Sequence, residues 1–381
     1  MASSFASSSG DGTMSFNLYW LRRRLCQLLV ITCTVFMLAY VALTWKQQEY
    51  TAFTYSFPTA NHHGLRNASG LFAECWGPSI HPIDDPVFIT DKGERFEVPY
   101  SSRRWLQPLG KRVVIIDTDT RLDTTEKNTM LHASPMDYKR LEGRTGGHLN
   151  HYLYALIHGY DYRLIRAPDY PDRYGTWVKP AILKEALNTH EFVVILDSDA
   201  VFTHLQLPIE WLMNLWDIRN ETLVAMAEDL DNELDYDPQG KLILNTGFII
   251  AKASERNQEM IGVWDNCPDR IDGCGKWKTQ WAHEQTAFSY FIRYLFNEPN
   301  EVKAIPCDHA NGNEYYEEGR GACRGVFVSH NWHTKDKTVE ILQQNVMRAM
   351  VQRLHGQFQA GQQKLFIDGS RYSYPIKDMQ I

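Results

Sequence analysis

A chain of 381 residues with 44% apolar, 12% aromatic and 22% charged side chains holds enough hydrophobic mass for one large or two ordinary cores, which excludes an intrinsically disordered protein. Thirty-nine basic against 46 acidic residues leave a formal charge of −7, so there is no basic field to draw in a polyanion and no nucleic-acid partner is expected. Seven cysteines are too few for a disulfide scaffold, and their meaning depends on the compartment they reach.

In chain order, residues 1–24 are rich in Ser and Gly and end in Arg22, Arg23 and Arg24, the composition of a flexible cytosolic tail. Leu25 to Trp45 then runs 21 residues without a charge, enough for a helix of about 30 Å that crosses a bilayer once. With the arginines in front of it, the positive-inside rule predicts a signal anchor and a lumenal body beyond Trp45. A cleaved signal peptide fits less well, because the run exceeds an h-region and no small-x-small site follows. Residues 46–110 lack sustained periodicity and read as a lumenal stem. A lumenal body would offer Asn67-Ala68-Ser69 and Asn220-Glu221-Thr222 for glycosylation. It would also leave Cys75, Cys267, Cys274, Cys307 and Cys323 in an oxidising space. Loop closure favours the pairs Cys267–Cys274 and Cys307–Cys323, and no C-x-x-C spacing supports zinc.

At Arg112 the texture changes. RVVIID, YRLIRA and EFVVILDSDAVF read as strands and TGGHLNHYLYALIHGYD and WVKPAILKEALN as helices. This alternation predicts an α/β fold with a mainly parallel sheet. It continues through a helix at PIEWLMNLW, a strand at TLVAMAED, and a strand-turn-strand or strand-helix unit around KLILNTGFIIAKASERNQEMIGVW. CRGVFVSHNWH is a late strand and 338–357 a terminal helix. One catalytic domain over 111–345 is expected, followed by a helix and tail over 346–381.

Four D-x-D pairs occur, so spacing alone selects none. Asp197 and Asp199 stand out because they emerge from the carboxyl end of the apolar strand VVIL, where open α/β sheets place ligands. Two carboxylates so spaced can approach one hard divalent cation that bridges diphosphate oxygens; a solvated strand cap is the plainer alternative. Asp117 and Asp119 share the setting after RVVII and are candidates for base or ribose contact. Asp229/Asp231 and Asp235/Asp237 read as a solvated acidic loop. Asn245, Thr246 and Gly247 follow KLIL as a small-residue turn where backbone can approach a sugar. Lys179 could reach a donor phosphate or stay solvated. Trp177 could stack on a sugar or sit in the core. The string after VVIL also fits a haloacid-dehalogenase-like phosphatase with Asp197 as nucleophile, but that strand normally opens its domain and here comes third.

Taken together, HGYDYRL, YGTWVKPAILKEAL, FVVILDSDAVF, LNTGFIIAK, HEQTAF and VSHNWHTK, in this order after an anchor and stem, resemble the fungal α-galactosyltransferase and α-1,6-mannosyltransferase family that includes plant xyloglucan xylosyltransferases. The resemblance implies a GT-A-like, Rossmann-type single domain in a type II Golgi membrane protein. It further implies a UDP- or GDP-hexose donor, a glycan acceptor, Mn2+, retention of configuration and complexes with other Golgi transferases. Asp197 and Asp199 would hold Mn2+ with Ser198 near the ribose, and His330, or alternatively His333, would be the third metal ligand. Lys335 would neutralise the leaving diphosphate, and Gln285 would border the transferred sugar. His283 and Glu284 stand where the family carries two acidic residues, which leaves the sugar open, with a hexose favoured over xylose and Glu284 grouped with Gln285 as catalytic. A lumenal binding subunit without turnover is the competing expectation.

Overall fold

The computed structural model describes residues 76–312 and 323–366. The expected tail, the anchor at 25–45, the first part of the stem, Cys75 and the Asn67 sequon lie outside them. Among the described residues no helix is long and apolar enough to cross a membrane.

Strands β1 (Val87–Ile89) and β2 (Arg95–Glu97) pair antiparallel in the region expected to be stem. That expectation fails from Trp76 onward. Trp76, Phe88, Val98 and Leu109 are buried in the same hydrophobic cluster as the main sheet, and Asn214 Oδ1 accepts from the backbone N–H groups of Arg104 and Trp105, each at 2.9 Å. The segment is held by single aromatic and apolar anchors between turns, which leave no periodic signature.

The main remaining elements, in order, are β3 (Val113–Asp119), α1 (Gly143–His158), β4 (Asp161–Arg166), α2 (Val178–Ala186), β5 (Phe192–Leu196) and β6 (Ala200–Phe202). They are followed by α3 (Ile209–Leu215), β7 (Val224–Glu228), β8 (Leu244–Lys252), α4 (Glu255–Arg270), α5 (His283–Ala287), β9 (Val302–Ile305), β10 (Val328–His330) and α6 (Lys337–Leu365). Six strands form one sheet in the order β4-β3-β5-β8-β7-β9. The pairings β3/β4, β3/β5 and β7/β9 are parallel, as expected of an α/β fold, while β8 runs antiparallel to both β5 and β7. Because β8 is reversed, its beginning reaches the sheet edge where β3, β5 and β7 end.

The β-branched run of β3 makes sense once both faces are covered. Val113 and Ile115 enter the cluster that holds Tyr154, Phe202, Trp211 and Phe248, whereas Val114 and Ile116 enter the one that holds Trp177, Leu183, Met260 and Trp264. Trp177 is thus a core residue, its Nε1 donating to the Trp277 carbonyl at 3.0 Å. Each such side chain buried contributes about 1.5–3 kcal/mol.

Two expected boundaries shift, and both shifts build the site. EFVVILDSDAVF is not one strand: it breaks at Asp197, and β6 leaves the main sheet to pair antiparallel with β10, His330 opposite Ala200. Asn245, Thr246 and Gly247 are not a turn but the start of β8, where the pairing with β7 slips at Met226/Ala227, as a bulge does. Both favoured disulfides form, Cys267–Cys274 and Cys307–Cys323.

Candidate active site

The turn between β5 and β6 presents Asp197, Ser198 and Asp199, and the β6–β10 pairing carries His330 to them. One ligand atom from each of Asp197, Asp199 and His330 lies within 4.8 Å of the others. The imidazole is tightly specified. Asn311 Nδ2 donates to the Glu228 carbonyl at 3.0 Å, so its Oδ1 is the atom that accepts from His330 Nδ1 at 3.1 Å. A neutral ring would then face Asp199 Oδ1, 3.3 Å away, with its Nε2 lone pair, and a protonated ring would donate there. Two acceptors facing each other need a proton or a metal cation between them, and a metal-ligating histidine ordinarily donates its other ring N–H in this manner. The donor set fits a divalent ion that accepts carboxylate oxygens and one imidazole. His333, the alternative ligand, is exposed and outside this cluster.

Close packing explains two glycines here. A Cβ on Gly247 would stand 2.1 Å from His330 Cε1, and one on Gly147 1.9 Å from the Ser198 carbonyl oxygen. Gly247 therefore makes room for an imidazole rather than for a sugar. Gly147, in the first turns of α1, lets that helix lie against the aspartate turn at a propensity cost of about 1 kcal/mol relative to Ala. Ser198, half-buried, takes its place from this contact.

Electrostatics set the carboxylates apart. Burial alone would raise the Asp199 carboxyl, but the His330 ring and the Lys335 ammonium outweigh it and hold the group below the ordinary carboxylate range. Lys335 Nζ lies 3.1 Å from Asp199 Oδ2 with 61% of its side chain exposed. Lys179 corrects its sequence reading, being neither solvated nor open to a phosphate. It is buried, with Nζ 2.8 Å from Asp197 Oδ1 and 3.5 Å from Glu284 Oε1, and it donates to the Thr246 carbonyl at 2.9 Å. Burial would lower this ammonium, yet Asp197 and Glu284 keep it above its usual value.

Glu284 is likewise enclosed. Thr246 Oγ1 donates to its Oε1 at 2.9 Å and Thr176 Oγ1 to its Oε2, so the structure gives it a positioning role under the sheet edge and no free carboxylate to act on substrate. Gln285 accepts from the Thr246 N–H at 3.1 Å and donates to Asp229 Oδ2 at 2.9 Å. Asn245 Nδ2 donates to the same oxygen at 3.3 Å, and Asn311 Nδ2 faces Asp229 Oδ1 at 3.4 Å. Asp229 therefore belongs to the site and not to a solvated loop. The signal was present: it follows the buried strand β7 as Asp197 follows β5. Asn311 follows no periodic element and carried no such signal.

The contact between Asp117 and nucleotide does not survive. Asp117 is fully buried, accepting from His151 Nδ1 at 2.8 Å and from the Tyr162 hydroxyl at 2.7 Å. Although burial raises it, these partners and His148 hold the carboxyl below its ordinary value, so it ties β3 to α1 and β4. Asp119 stands at the strand end, but its oxygens are occupied by Arg121, with Nε and Nη2 each at 2.8 Å. Arg121 is the group that reaches outward, 63% of its side chain exposed and within electrostatic range of Asp199.

The strand ends of a mixed α/β sheet thus bring together two carboxylates and one imidazole that could hold a divalent cation, with the exposed Arg121 and Lys335 beside them. Residues 147–345 match the sequence profile described as the galactosyl transferase GMA12/MNN10 family. The chain belongs to that family, and glycosyl transfer from a nucleotide-sugar donor to a glycan acceptor is the activity class this membership carries. The phosphatase reading is thereby set aside.

Among solved structures, the chain is similar to a glycosyltransferase involved in glycosylation of the major capsid of PBCV-1, at 14% identity over 61% of this chain and 98% of that one, with a TM-score of 0.43. The galactosyltransferase LgtC with donor and acceptor sugar analogs follows at 12% identity, 62% and 95% coverage and TM-score 0.37. Mouse xyloside xylosyltransferase 1 follows at 10%, 58% and 98%, and 0.33. No curated protein sequence matches.

Proposed function

We propose that the protein is a retaining, Mn2+-dependent hexosyltransferase of the Golgi lumen, anchored by residues 25–45, that moves galactose or mannose from UDP or GDP to a glycan acceptor. The observation that carries the reading is the clustering of Asp197, Asp199 and His330, one ligand atom of each within 4.8 Å of the others, with His330 Nδ1 held by Asn311 Oδ1. Asp197, Asp199 and His330 would hold the cation, which when bound supplies Lewis-acid stabilisation of the charge developing on the leaving diphosphate. Lys179, paired with Asp197, keeps that carboxylate oriented.

Lys335 and Arg121 are exposed enough to turn from Asp199 and Asp119 toward phosphate oxygens, adding positive charge where it grows in the transition state. Gln285, fixed at both ends of its amide, borders the place of the transferred sugar. Retention needs a nucleophilic carboxylate or attack by the acceptor from the face the leaving group vacates. Glu284 is taken up by Lys179, Thr246 and Thr176, and Asp229 by Gln285, Asn245 and Asn311. That engagement favours same-face attack. The two disulfides and the exposed Asn220 sequon suit an oxidising, glycosylating lumen.

The test is thermal unfolding of the full chain in detergent with UDP and GDP, with and without Mn2+. One nucleotide should stabilise the protein only when metal is present, and Asp199→Ala should abolish the effect. Absence of metal-dependent stabilisation by either nucleotide would favour the non-catalytic binding subunit.

A further inference from the structure

Three rings gather where α5 begins. Tyr174 and His283 are stacked, with centroids 3.9 Å apart and planes 3° from parallel, and Trp281 meets His283 edge-on at 5.6 Å and 72°. His283 is buried between them, while Tyr174 is 54% and Trp281 80% exposed. A single exposed aromatic is ordinary, but a pre-stacked set on an anchored frame is a different matter.

The frame is fixed by backbone hydrogen bonds. The Tyr174 N–H donates to the Lys278 carbonyl at 2.8 Å and the His283 N–H to the Gln280 carbonyl at 2.8 Å, while the Ala282 N–H donates to Thr286 Oγ1 at 3.1 Å. Immediately after His283 come Glu284 and Gln285, both locked to Thr246. On its other side, Tyr174 lies within electrostatic range of Arg121, which also senses Asp199. The rings therefore stand where the helix carrying Glu284 and Gln285 begins, with Arg121 within electrostatic range of both Tyr174 and Asp199.

A rigid aromatic face beside water suits a ligand with one apolar face and a polar rim. A pyranose is such a ligand: its axial C–H groups can lie on the indole while its hydroxyls stay hydrated. We infer that Trp281, backed by the Tyr174–His283 stack, is the acceptor subsite and receives a hexopyranose of the acceptor glycan on its exposed face. The inference rests on the transferase reading, and the experiment separates the two.

The full chain in detergent is titrated calorimetrically with soluble gluco- and manno-oligosaccharides in the absence of donor, alongside Trp281→Ala and Trp281→Phe. Mn2+-dependent nucleotide stabilisation is measured on each. One oligosaccharide series should bind the wild type, bind Trp281→Ala about tenfold or more weakly, as loss of an aromatic anchor predicts, and be largely recovered by Trp281→Phe, with nucleotide stabilisation unchanged throughout. Equal oligosaccharide binding by wild type and Trp281→Ala would overturn the subsite. So would loss of nucleotide stabilisation in Trp281→Ala, which would give the ring to the donor base. Trp281-dependent oligosaccharide binding in a wild type that shows no metal-dependent nucleotide stabilisation would uphold the sugar-binding face but overturn the transferase reading and with it the acceptor role.

Discussion

Replacing Gly247 by alanine adds one methyl group against the imidazole of the proposed metal centre. The new Cβ would lie 2.1, 2.6 and 2.7 Å from Cε1, Nδ1 and Nε2 of His330, where ordinary contact begins at 3.4 Å. The imidazole must retreat by about 1.3 Å, and metal–ligand distances tolerate only ±0.2 Å or so. The retreat also breaks the Nδ1 hydrogen bond to Asn311 that fixes the tautomer. Loss of a second-shell partner alone costs about 10–100-fold in metal affinity, so displacement of the ligand itself should cost at least about 100-fold. Overpacking should cost a further ~1–3 kcal/mol of stability. The assay pairs Mn2+ titration calorimetry with thermal unfolding. Gly356→Ala serves as the control, because a Cβ there meets nothing within 4 Å, and it should leave metal affinity intact while stabilising α6 by ~0.5–1 kcal/mol. Unchanged Mn2+ affinity in Gly247→Ala would refute the assignment of His330 as ligand.

Gly147→Ala should be more damaging to folding, since its Cβ would meet the Ser198 carbonyl at 1.9 Å and backbone cannot swing aside; a drop in soluble yield or a lowered Tm relative to Gly356→Ala is the expected result. His330→Ala should lose Mn2+ binding and His333→Ala keep it, and the reverse outcome would move the ligand to the neighbour. Burial holds His158 down to about 4 from 6.5, with the Leu205 carbonyl opposing. The unfolded chain therefore takes up a proton first as pH falls, so stability is full above 6.5 and declines toward 4. The loss by pH 5 is about 2 kcal/mol, readable as a lower urea midpoint than at pH 7 that His158→Gln should flatten. Removing the Cys307–Cys323 bridge, which spans 16 residues, should cost about 3 kcal/mol by loop entropy, measured by denaturant unfolding of the double Ser variant.

What was legible in the sequence was what repeats or ends a repeat. The buried runs of β3 and β5 and the amphipathic α1 announce themselves through periodicity, and Asp197 and Asp199 through their place after VVIL. The same rule applied to VAMAE would have found Asp229, which was lost because a dense acidic string follows it. Lys179 was misplaced because no local pattern distinguishes a solvated lysine from one buried between Asp197 and Glu284, residues 18 and 105 positions further on. Asn311 is specified only by contacts with Glu228 and His330. The stem boundary failed because Trp76, Phe88 and Trp105 anchor singly. Pairing partners distant in sequence decide all of these.

The Cys307–Cys323 bridge acquires a different meaning when the chain is considered as a covalent graph. His330 is supplied from beyond residue 323 and both aspartates from before residue 307, so every covalent path between the imidazole and the two carboxylates of the proposed metal site runs through this bracket. A single peptide cleavage anywhere between the two cysteines would leave the imidazole and the carboxylates parts of one covalent molecule. Nicked protein would stay one molecule under oxidising conditions and become two chains on reduction, held together then only by packing such as the β6–β10 pairing.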